Sequence, residues 1–308
     1  MVKNAHTHSE DTNWLKTPMG DNRGYIQPQQ LKELWFHTGT ICNLSCPFCL
    51  EGSKPGDDRL NKVTLGDVVP FIDEALELGV EKFSFTGGEP FVIKDMVKIL
   101  DYALEHRPCL VLSNATRPLQ ARLTEILPLL NKPHDVSFRI SFDFPDAQRH
   151  DEGRGAGNFD LALNTIGELY KLGFNISIAR HREANEDVES VDRKYIEHFK
   201  KVNIPNDTRI VSFPDFSVPG IIADVPHITE GCMTKYHTEV GRSKFMCSFS
   251  KMVVKKDGHM RVYACTLVDD DSDYDTGSTL MEALKPRITM KHHRCYSCFA
   301  DGASCSEM

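Results

Sequence analysis

Short apolar segments alternate with longer amphipathic segments along residues 31–213. Runs rich in Phe, Val, Ile and Leu predict strands, and windows with a period near 3.6 residues predict helices. The predicted strands are 33–40, 82–86, 109–113, 136–142, 175–180 and 208–213. The predicted helices between them are 64–79, 94–106, 119–130, 159–172 and 188–201. Repeated β–α units favour parallel strands joined by right-handed crossovers, so the α/β class and a partial (β/α)6 TIM barrel are expected.

The alternation stops near Pro226. Residues 251–264 predict a β-hairpin, because Asp257 and Gly258 form a turn signal between two apolar strands. The acidic residues that follow, at 269–275, predict a solvated loop. The chain therefore divides into a polar N-terminal arm (1–30), a partial barrel (31–225) and a C-terminal region with a hairpin and a helix (226–308).

Composition excludes several classes of protein. Of 308 residues, 40% are hydrophobic and 26% are charged, which is typical of a globular protein. No apolar run approaches the roughly 18–20 residues that span a bilayer, and the polar N-terminus lacks the apolar core of a secretory signal. We therefore expect a cytoplasmic location and no membrane partner. A net charge of −8 argues against a nucleic-acid partner.

The ten cysteines are clustered rather than scattered. Thiols stay reduced in the cytosol, so clusters there indicate metal or redox chemistry more often than disulfides. Cys42, Cys46 and Cys49 lie on one loop after the first predicted strand. Three thiolates suit an iron–sulfur cluster with one iron left open, since such clusters take four ligands. From spacing alone, a zinc site or unligated thiols remain alternatives.

Polar residues also follow the next four predicted strands. Gly87 and Gly88 would let the backbone approach a ligand closely, and Glu89 is an anionic acceptor for an ammonium group. Taken alone, this stretch could be a simple turn, and Ser113-Asn114 after the third strand could be an Asx turn. Arg180, which ends the fifth strand, could equally form a surface ion pair.

Together these motifs resemble the radical S-adenosylmethionine (radical SAM) superfamily. The matching features are the CxxxCxxC loop, Thr86-Gly87-Gly88-Glu89-Pro90, Ser113-Asn114, Arg180, and the stretch from Ser141 and Asp143 to Gly157-x-Phe159. The resemblance implies that Cys42, Cys46 and Cys49 bind a [4Fe–4S] cluster. It further implies that S-adenosylmethionine is cleaved reductively to a 5′-deoxyadenosyl radical, which abstracts hydrogen from a substrate. An electron donor such as flavodoxin or ferredoxin is the implied partner.

The resemblance also assigns the cofactor-binding residues. Gly87, Gly88 and Glu89 would contact the methionyl amino group, and Arg180 the methionyl carboxylate. Ser113 and Asn114 would lie near the methionyl or ribose part. Ser141 and Asp143 would face the ribose or the substrate. Phe48 would pack near the adenine, with a plain core contact as the alternative.

The C-terminal cysteines predict a second metal site. A hairpin brings Cys247 and Cys265 together, and Cys295 and Cys298 can complete four thiolates; from spacing alone, zinc and iron–sulfur are equally favoured. The region resembles SPASM and the shorter twitch extensions, most nearly the twitch of the aminocyclitol dehydrogenase of butirosin biosynthesis. That resemblance implies one auxiliary [4Fe–4S] cluster, two clusters in all, with Cys305 as a spare or alternative ligand.

The reaction itself remains open at the level of sequence. Oxidation of a small polar substrate, such as an aminocyclitol, aminoglycoside or sugar, is favoured because only 41 residues precede Cys42 and the tail is truncated. Epimerisation is an alternative in which Cys232 returns a hydrogen atom, although Cys232 could be a buried structural thiol. Modification of a ribosomally made peptide is another alternative. A cluster-binding protein without activity is the least favoured.

Overall fold

A nine-stranded sheet forms the centre of the protein. The computed structural model describes residues 12–302 and Ser306, so Cys305 lies outside the described residues. The strands are β1 (Tyr25–Ile26), β2 (Glu33–His37), β3 (Lys82–Thr86), β4 (Cys109–Ser113), β5 (Val136–Ser141), β6 (Asn175–His181), β7 (Ile210–Phe213), β8 (Ser250–Lys256), β9 (His259–Tyr263), β10 (Asp275–Gly277) and β11 (Ile288–Thr289). The central order is β10-β9-β8-β2-β3-β4-β5-β6-β7, and β2 to β7 are parallel neighbours. This confirms the predicted α/β class with its parallel sheet.

The helices fill the β–α connections and the C-terminal region. They are α1 (Thr12–Leu15), α2 (Leu65–Glu77), α3 (Met96–Ala103), α4 (Arg117–Gln120), α5 (Leu123–Ile126), α6 (Ala147–Arg154), α7 (Asn158–Leu172), α8 (Val188–Lys201), α9 (Glu230–Tyr236), α10 (Glu239–Ser243), α11 (Met246–Phe249), α12 (Leu280–Ala283) and α13 (His293–Asp301). Within the described ranges, no helix combines the length and apolar character needed to cross a membrane.

The capping pattern explains how α2 begins. Thr64 accepts from the Asp67 backbone N–H, and the Asp67 carboxylate accepts in return from the Thr64 backbone N–H at 2.8 Å. This reciprocal capping box satisfies two N–H groups that the helix cannot pair internally. The apolar face of α2 is buried against the sheet through Val68, Phe71 and Ile72. The predicted helix 64–79 is thus confirmed with slightly shorter ends.

Two segments differ from the sequence-based expectation. The single helix predicted over 119–130 is broken into α4, α5 and a 3-10 turn (Leu127–Asn131). Pro128 lacks the N–H that would continue the α-helical turn of α5. No helix was predicted between residues 142 and 159, but the segment after β5 forms α6. Its Asp146 cap accepts from Arg149 N at 2.8 Å. Only His150 of α6 is buried, so no apolar stripe indicated this helix.

The C-terminal hairpin continues the barrel sheet. Strand β8 pairs in parallel with β2 and antiparallel with β9, as the predicted hairpin requires. Asp257 and Gly258 at its turn have φ values of 51° and 78°, which suit the two-residue turn that matches strand twist. The N-terminal arm joins the same end of the protein through antiparallel pairing of β1 with β11. The division at 30 and 225 stays a prediction.

The acidic stretch at 269–275 is not the solvated loop that was expected. Asp269 is only 1% exposed and pairs with Arg59 at 2.8 Å. Asp273 pairs with Lys291 at 2.5 Å, and Asp275 pairs with Arg261 at 2.9 Å. These basic partners are distant in sequence, so the charge run alone could not reveal that it is neutralised.

Candidate functional site

A cleft of about 220 Å³ opens at the carboxyl ends of the parallel strands. Such ends meet at one edge of a parallel sheet, and loops there carry the functional groups of barrel enzymes. The cleft brings together nearly all of the predicted cofactor-site residues. They are Cys42, Cys46, Cys49, Phe48, Gly87, Gly88, Ser113, Asn114, Ser141, Asp143 and Arg180.

The cysteine loop supplies three buried or half-buried thiols from the end of β2. Cys42 Sγ accepts from Leu44 N at 3.4 Å and from Asn114 Nδ2 at 3.8 Å. Burial raises the pKa of Cys42 to about 11, and it also raises the pKa of Cys46 and Cys49. A bound metal would deprotonate such thiols, and N–H donors to sulfur are typical of iron–sulfur sites. The donor set therefore fits a three-thiolate cluster.

Two glycines allow the loop after β3 to pack directly against the cysteine loop. A Cβ atom on Gly88 would overlap the carbonyl of Ile41, and one on Gly87 would lie 2.6 Å from Thr38 Oγ1. Gly87 also has a φ of 141°, which L side chains rarely adopt. Gly88 N donates to Gly39 O at 2.9 Å. The two glycines therefore allow two segments of the chain to approach each other closely. The close approach to a ligand stays a prediction.

Glu89 has a different position from its glycine neighbours. It is fully buried and is not among the residues that line the cleft. Its carboxylate accepts from Asn114 N at 2.8 Å, Ser113 Oγ at 3.0 Å and Phe91 N at 3.1 Å. Burial raises its pKa to about 7, although these hydrogen bonds oppose the rise. Glu89 therefore fixes the Ser113-Asn114 wall from behind.

We expect Glu89 to make stability depend on pH. Its raised pKa means that, between about pH 4.5 and 7, the folded protein holds a proton that the unfolded chain has lost. The contribution is complete below the unfolded pKa and is lost as pH rises through about 7. The free energy of unfolding of the wild type, relative to Glu89→Gln, should fall over this range in chemical denaturation. A difference between the two proteins that does not change with pH would contradict this.

Asp143 and Arg154 both line the cleft and form an ion pair with each other. Burial alone lowers the pKa of Arg154, but the Asp143 carboxylate outweighs it and the pKa is raised. The guanidinium also interacts favourably with Cys46 and Cys49, and it lies 5.9 Å from the Phe48 ring centroid. Arg154 was not predicted as a site residue, because the helix that carries it was not predicted. The RG pair at Arg154-Gly155 was the available signal.

Arg180 combines the two interpretations left open by its sequence. It donates to Glu186 Oε1 at 2.6 Å and to Asp192 Oδ1 at 2.9 Å, so it does form ion pairs. These pairs are buried rather than on the surface, since Arg180 is only 1% exposed. Its remaining nitrogen, Nη2, is buried and has no hydrogen-bond partner among the described residues. Arg180 is among the residues that line the cleft, and its contact with the methionyl carboxylate stays a prediction.

Residues at and after the ends of β6 and β7 line the cleft and were not predicted as site residues. Phe213, Pro214, Asp215 and Phe216 line the cleft after β7, and His181 lines it at the end of β6. Site residues were predicted only in the loops after the first five predicted strands. The loop after the sixth strand lies at the same edge of the sheet, and this position was the available signal.

A second cavity brings Cys247, Cys265, Cys295 and Cys298 together. Burial raises the pKa of Cys247 to about 11 and that of Cys295 to about 12. Lys251 is fully buried beside this cavity, where its Nζ donates to Cys247 O at 2.9 Å and Ser250 O at 3.0 Å. No carboxylate pairs with it among the described residues. A buried cation needs a counter-charge, and a metal held by thiolates supplies one.

Cys232 lies in α9 and lines neither cavity. The Thr229 hydroxyl donates to its Sγ at 3.2 Å and lowers its pKa. Its role as a hydrogen donor therefore stays a prediction.

A third group of side chains that are potential metal ligands is paired with Arg59. His37, Glu51 and Asp269 have ligand atoms within 4.8 Å of one another. Arg59 Nη2 lies 2.8 Å from Asp269 Oδ2 and 3.5 Å from Glu51 Oε2. Gly39 N donates to His37 Nδ1, so the ring proton is assigned to Nε2, which donates to Glu51 at 3.0 Å. In this structure, the three side chains and Arg59 form a buried ion-pair network.

Comparison with known proteins agrees with this geometry. The family model described as "Radical SAM superfamily" matches residues 36–193. Mycofactocin maturase MftC of Mycolicibacterium smegmatis is 30% identical over 152 residues, which cover 49% of this chain and 37% of that protein. GTP 3′,8-cyclase of Haemophilus influenzae is 26% identical over 135 residues, which cover 44% of this chain and 40% of that protein. The matches thus span about two fifths of these relatives.

The fold is shared with solved structures. That of Streptococcus suis SuiB bound to precursor peptide SuiA has a TM-score of 0.61 and 15% sequence identity, and it covers 83% of this chain and 65% of that chain. The family match covers more than half of the chain. It includes the cysteine loop and the loop after β3 that carries Gly87 and Gly88, the glycine loop. This chain belongs to the radical SAM superfamily.

Proposed function

We propose that Cys42, Cys46 and Cys49 hold a [4Fe–4S] cluster whose open iron binds S-adenosylmethionine. The observation that supports this most is the single cleft in which three thiols, the glycine loop and Arg180 meet. When bound, the cluster and its ligand supply a reductive C–S cleavage and a 5′-deoxyadenosyl radical. As in other cofactor enzymes, the protein's part is to bind, orient and exclude water.

The cleft residues take complementary parts of the ligand. We assign Arg180 to the methionyl carboxylate, because it lines the cleft and its Nη2 has no hydrogen-bond partner among the described residues. Ser113 and Asn114 form the wall near the ribose, where Glu89 holds them. Phe48 offers its ring face to the adenine beside the Arg154 guanidinium. Asp143 holds Arg154, so that a positive charge stays beside the thiolates.

We assign a second [4Fe–4S] cluster to Cys247, Cys265, Cys295 and Cys298, in a twitch-like region. Their shared cavity and the buried Lys251 support this assignment. Cys305 stays an alternative ligand. The proposed reaction is a two-electron oxidation, in which the substrate loses one hydrogen atom to the radical and then one electron and one proton, the proton to solvent. Cys247, Cys265, Cys295 and Cys298 would hold the group that could accept the electron.

A peptide is the substrate class that the relatives support best. MftC is named a maturase, and its 30% identity to this chain exceeds the 26% of GTP 3′,8-cyclase. The small polar substrate favoured from sequence rested on the short segment before Cys42 and on the truncated tail. Both carry little weight, because recognition of a peptide can reside in a separate protein. A small molecule is the second candidate, since GTP 3′,8-cyclase is also similar.

The substrate class can be tested by substrate-stimulated cofactor cleavage. The reconstituted protein, dithionite and S-adenosylmethionine would be incubated either with short peptides encoded beside the gene or with aminocyclitols, sugars and GTP. We expect that only a peptide raises 5′-deoxyadenosine formation above the uncoupled rate. The mass of that peptide should fall by two hydrogens. Stimulation by a small molecule alone would overturn the peptide assignment.

Oxidation and epimerisation can be distinguished by whether the product takes up hydrogen from the solvent. An oxidised product made in deuterium oxide carries no new deuterium at carbon, whereas an epimerised product gains one from the donor thiol. Because Cys232 lies outside the cleft, we expect Cys232→Ala to keep most of its activity. Deuterium in the product, together with an inactive Cys232→Ala, would make the enzyme an epimerase.

A further inference from the structure

Arg294 lies between the two cysteine sites and is only 1% exposed. It immediately precedes Cys295 in α13 and lines the C-terminal cavity. An arginine has five N–H donors, and all five of those of Arg294 are matched by acceptors. The acceptors are Phe216 O (3.0 Å), Leu267 O (3.1 Å), Asp270 Oδ1 (3.2 Å), Leu50 O (3.3 Å) and Ser217 O (3.0 Å).

These acceptors belong to three segments that are distant in sequence. Leu50 follows Cys49 directly and lines the cleft. Phe216 lines the cleft on the wall that follows β7. Leu267 and Asp270 lie in the segment that follows Cys265. One guanidinium thus connects the cysteine loop, a wall of the cleft and the C-terminal cysteine site.

The wall segment is held in a conformation that needs support. Ser217 has a φ of 62°, which is uncommon for a residue with a side chain, and its N–H donates to Asp215 Oδ1 at 2.8 Å. Its carbonyl accepts from Arg294. Backbone of this kind persists only where its surroundings over-determine it, and it occurs often at functional sites.

We infer that Arg294 is a positioning residue that couples the C-terminal cysteine site to the S-adenosylmethionine cleft. This inference rests on the proposed function of the two sites. Metal binding at Cys295 and Cys298 would order α13 and so hold Arg294 in place. Arg294 then fixes the carbonyls of Leu50, Phe216 and Ser217, and with them two walls of the cleft. Loss of the C-terminal metal should therefore weaken S-adenosylmethionine binding at the other site.

A double-mutant cycle measures this coupling. The dissociation constant of S-adenosylmethionine would be determined anaerobically for four reconstituted proteins: wild type, Cys295→Ala with Cys298→Ala, Arg294→Met, and the triple variant. We expect each of the first two changes to weaken binding by about fivefold or more, the lower range of typical site–site coupling. The triple variant should bind no more weakly than either, because both changes break the same link.

The matched control is Arg261→Met, which removes a C-terminal arginine that pairs with Asp275 and is not among the residues that line the cleft. It should leave the dissociation constant unchanged. Additive losses in the triple variant, or unchanged binding in Arg294→Met, would overturn the inference.

Two further measurements keep the test decisive. If Arg294→Met fails to fold, the cycle is repeated with Asp270→Asn. This change weakens the hydrogen bond between Arg294 and Asp270 and keeps the other four hydrogen bonds of Arg294. Iron content separates the two proposals. Four irons in the wild type would contradict the auxiliary cluster of the proposed function, whereas the effect of Arg294→Met on binding at the first site would still decide the role of Arg294.

Discussion

Replacing Cys42, Cys46 and Cys49 together by alanine is expected to remove about four of eight irons per chain and to abolish cleavage of S-adenosylmethionine. The three thiols are the only cysteines that line the cleft among the described residues, so no substitute ligand is at hand. Without them, Arg180 and the glycine loop would have no metal beside which to hold the cofactor. Iron and sulfide analysis after anaerobic reconstitution measures the first effect.

A buried cysteine outside both sites provides the control. Cys109 starts β4 and is 2% exposed in the main core, where burial raises the pKa of its thiol. Cys109→Ala should keep all of the iron and the activity. A triple variant that still held eight irons would show that the first cluster is bound elsewhere.

Replacing Cys295 and Cys298 by alanine has the second largest expected effect. Half of a four-thiolate site would be lost, and about four irons with it. Burial lowers the pKa of Lys251 to about 8, and loss of the cluster would remove the negative charge that we assign as the counter-charge of this ammonium. We expect turnover of substrate to disappear, while S-adenosylmethionine is still cleaved, more slowly because its binding is weaker.

Metal analysis of the wild type separates iron–sulfur from zinc at this site. We expect about eight irons and eight sulfides per chain, with no stoichiometric zinc. Four irons with one zinc would refute the auxiliary cluster. Four irons without zinc would indicate that the C-terminal thiols bind no metal.

Local sequence signals predicted the fold wherever they acted alone. The helical periodicity of 64–79, the apolar strands and the turn at Asp257-Gly258 all indicated elements close to those observed. Helix α6 was missed because it is polar on nearly all sides and depends on its Asp146 cap. The ion pairs of 269–275 were missed because their partners come from distant segments.

The candidate site shows the same division. Cysteine spacing, the strand ends and the family resemblance identified about half of the residues that line the cleft. Three-dimensional packing decided the rest: Glu89 lies behind a wall, Arg154 comes from an unexpected helix, and Arg180 is both paired and partly free. A sequence names such residues but does not say which of their atoms remain available.

Formation of 5′-deoxyadenosine tests the proposed radical chemistry most directly. The reconstituted wild type would be incubated anaerobically with dithionite and S-adenosylmethionine, and the product measured by liquid chromatography and mass spectrometry. We predict slow formation of 5′-deoxyadenosine without any substrate, and none with the Cys42, Cys46 and Cys49 triple variant. Absence of 5′-deoxyadenosine from a wild type that holds a full complement of iron, or equal amounts from both proteins, would contradict the proposed chemistry.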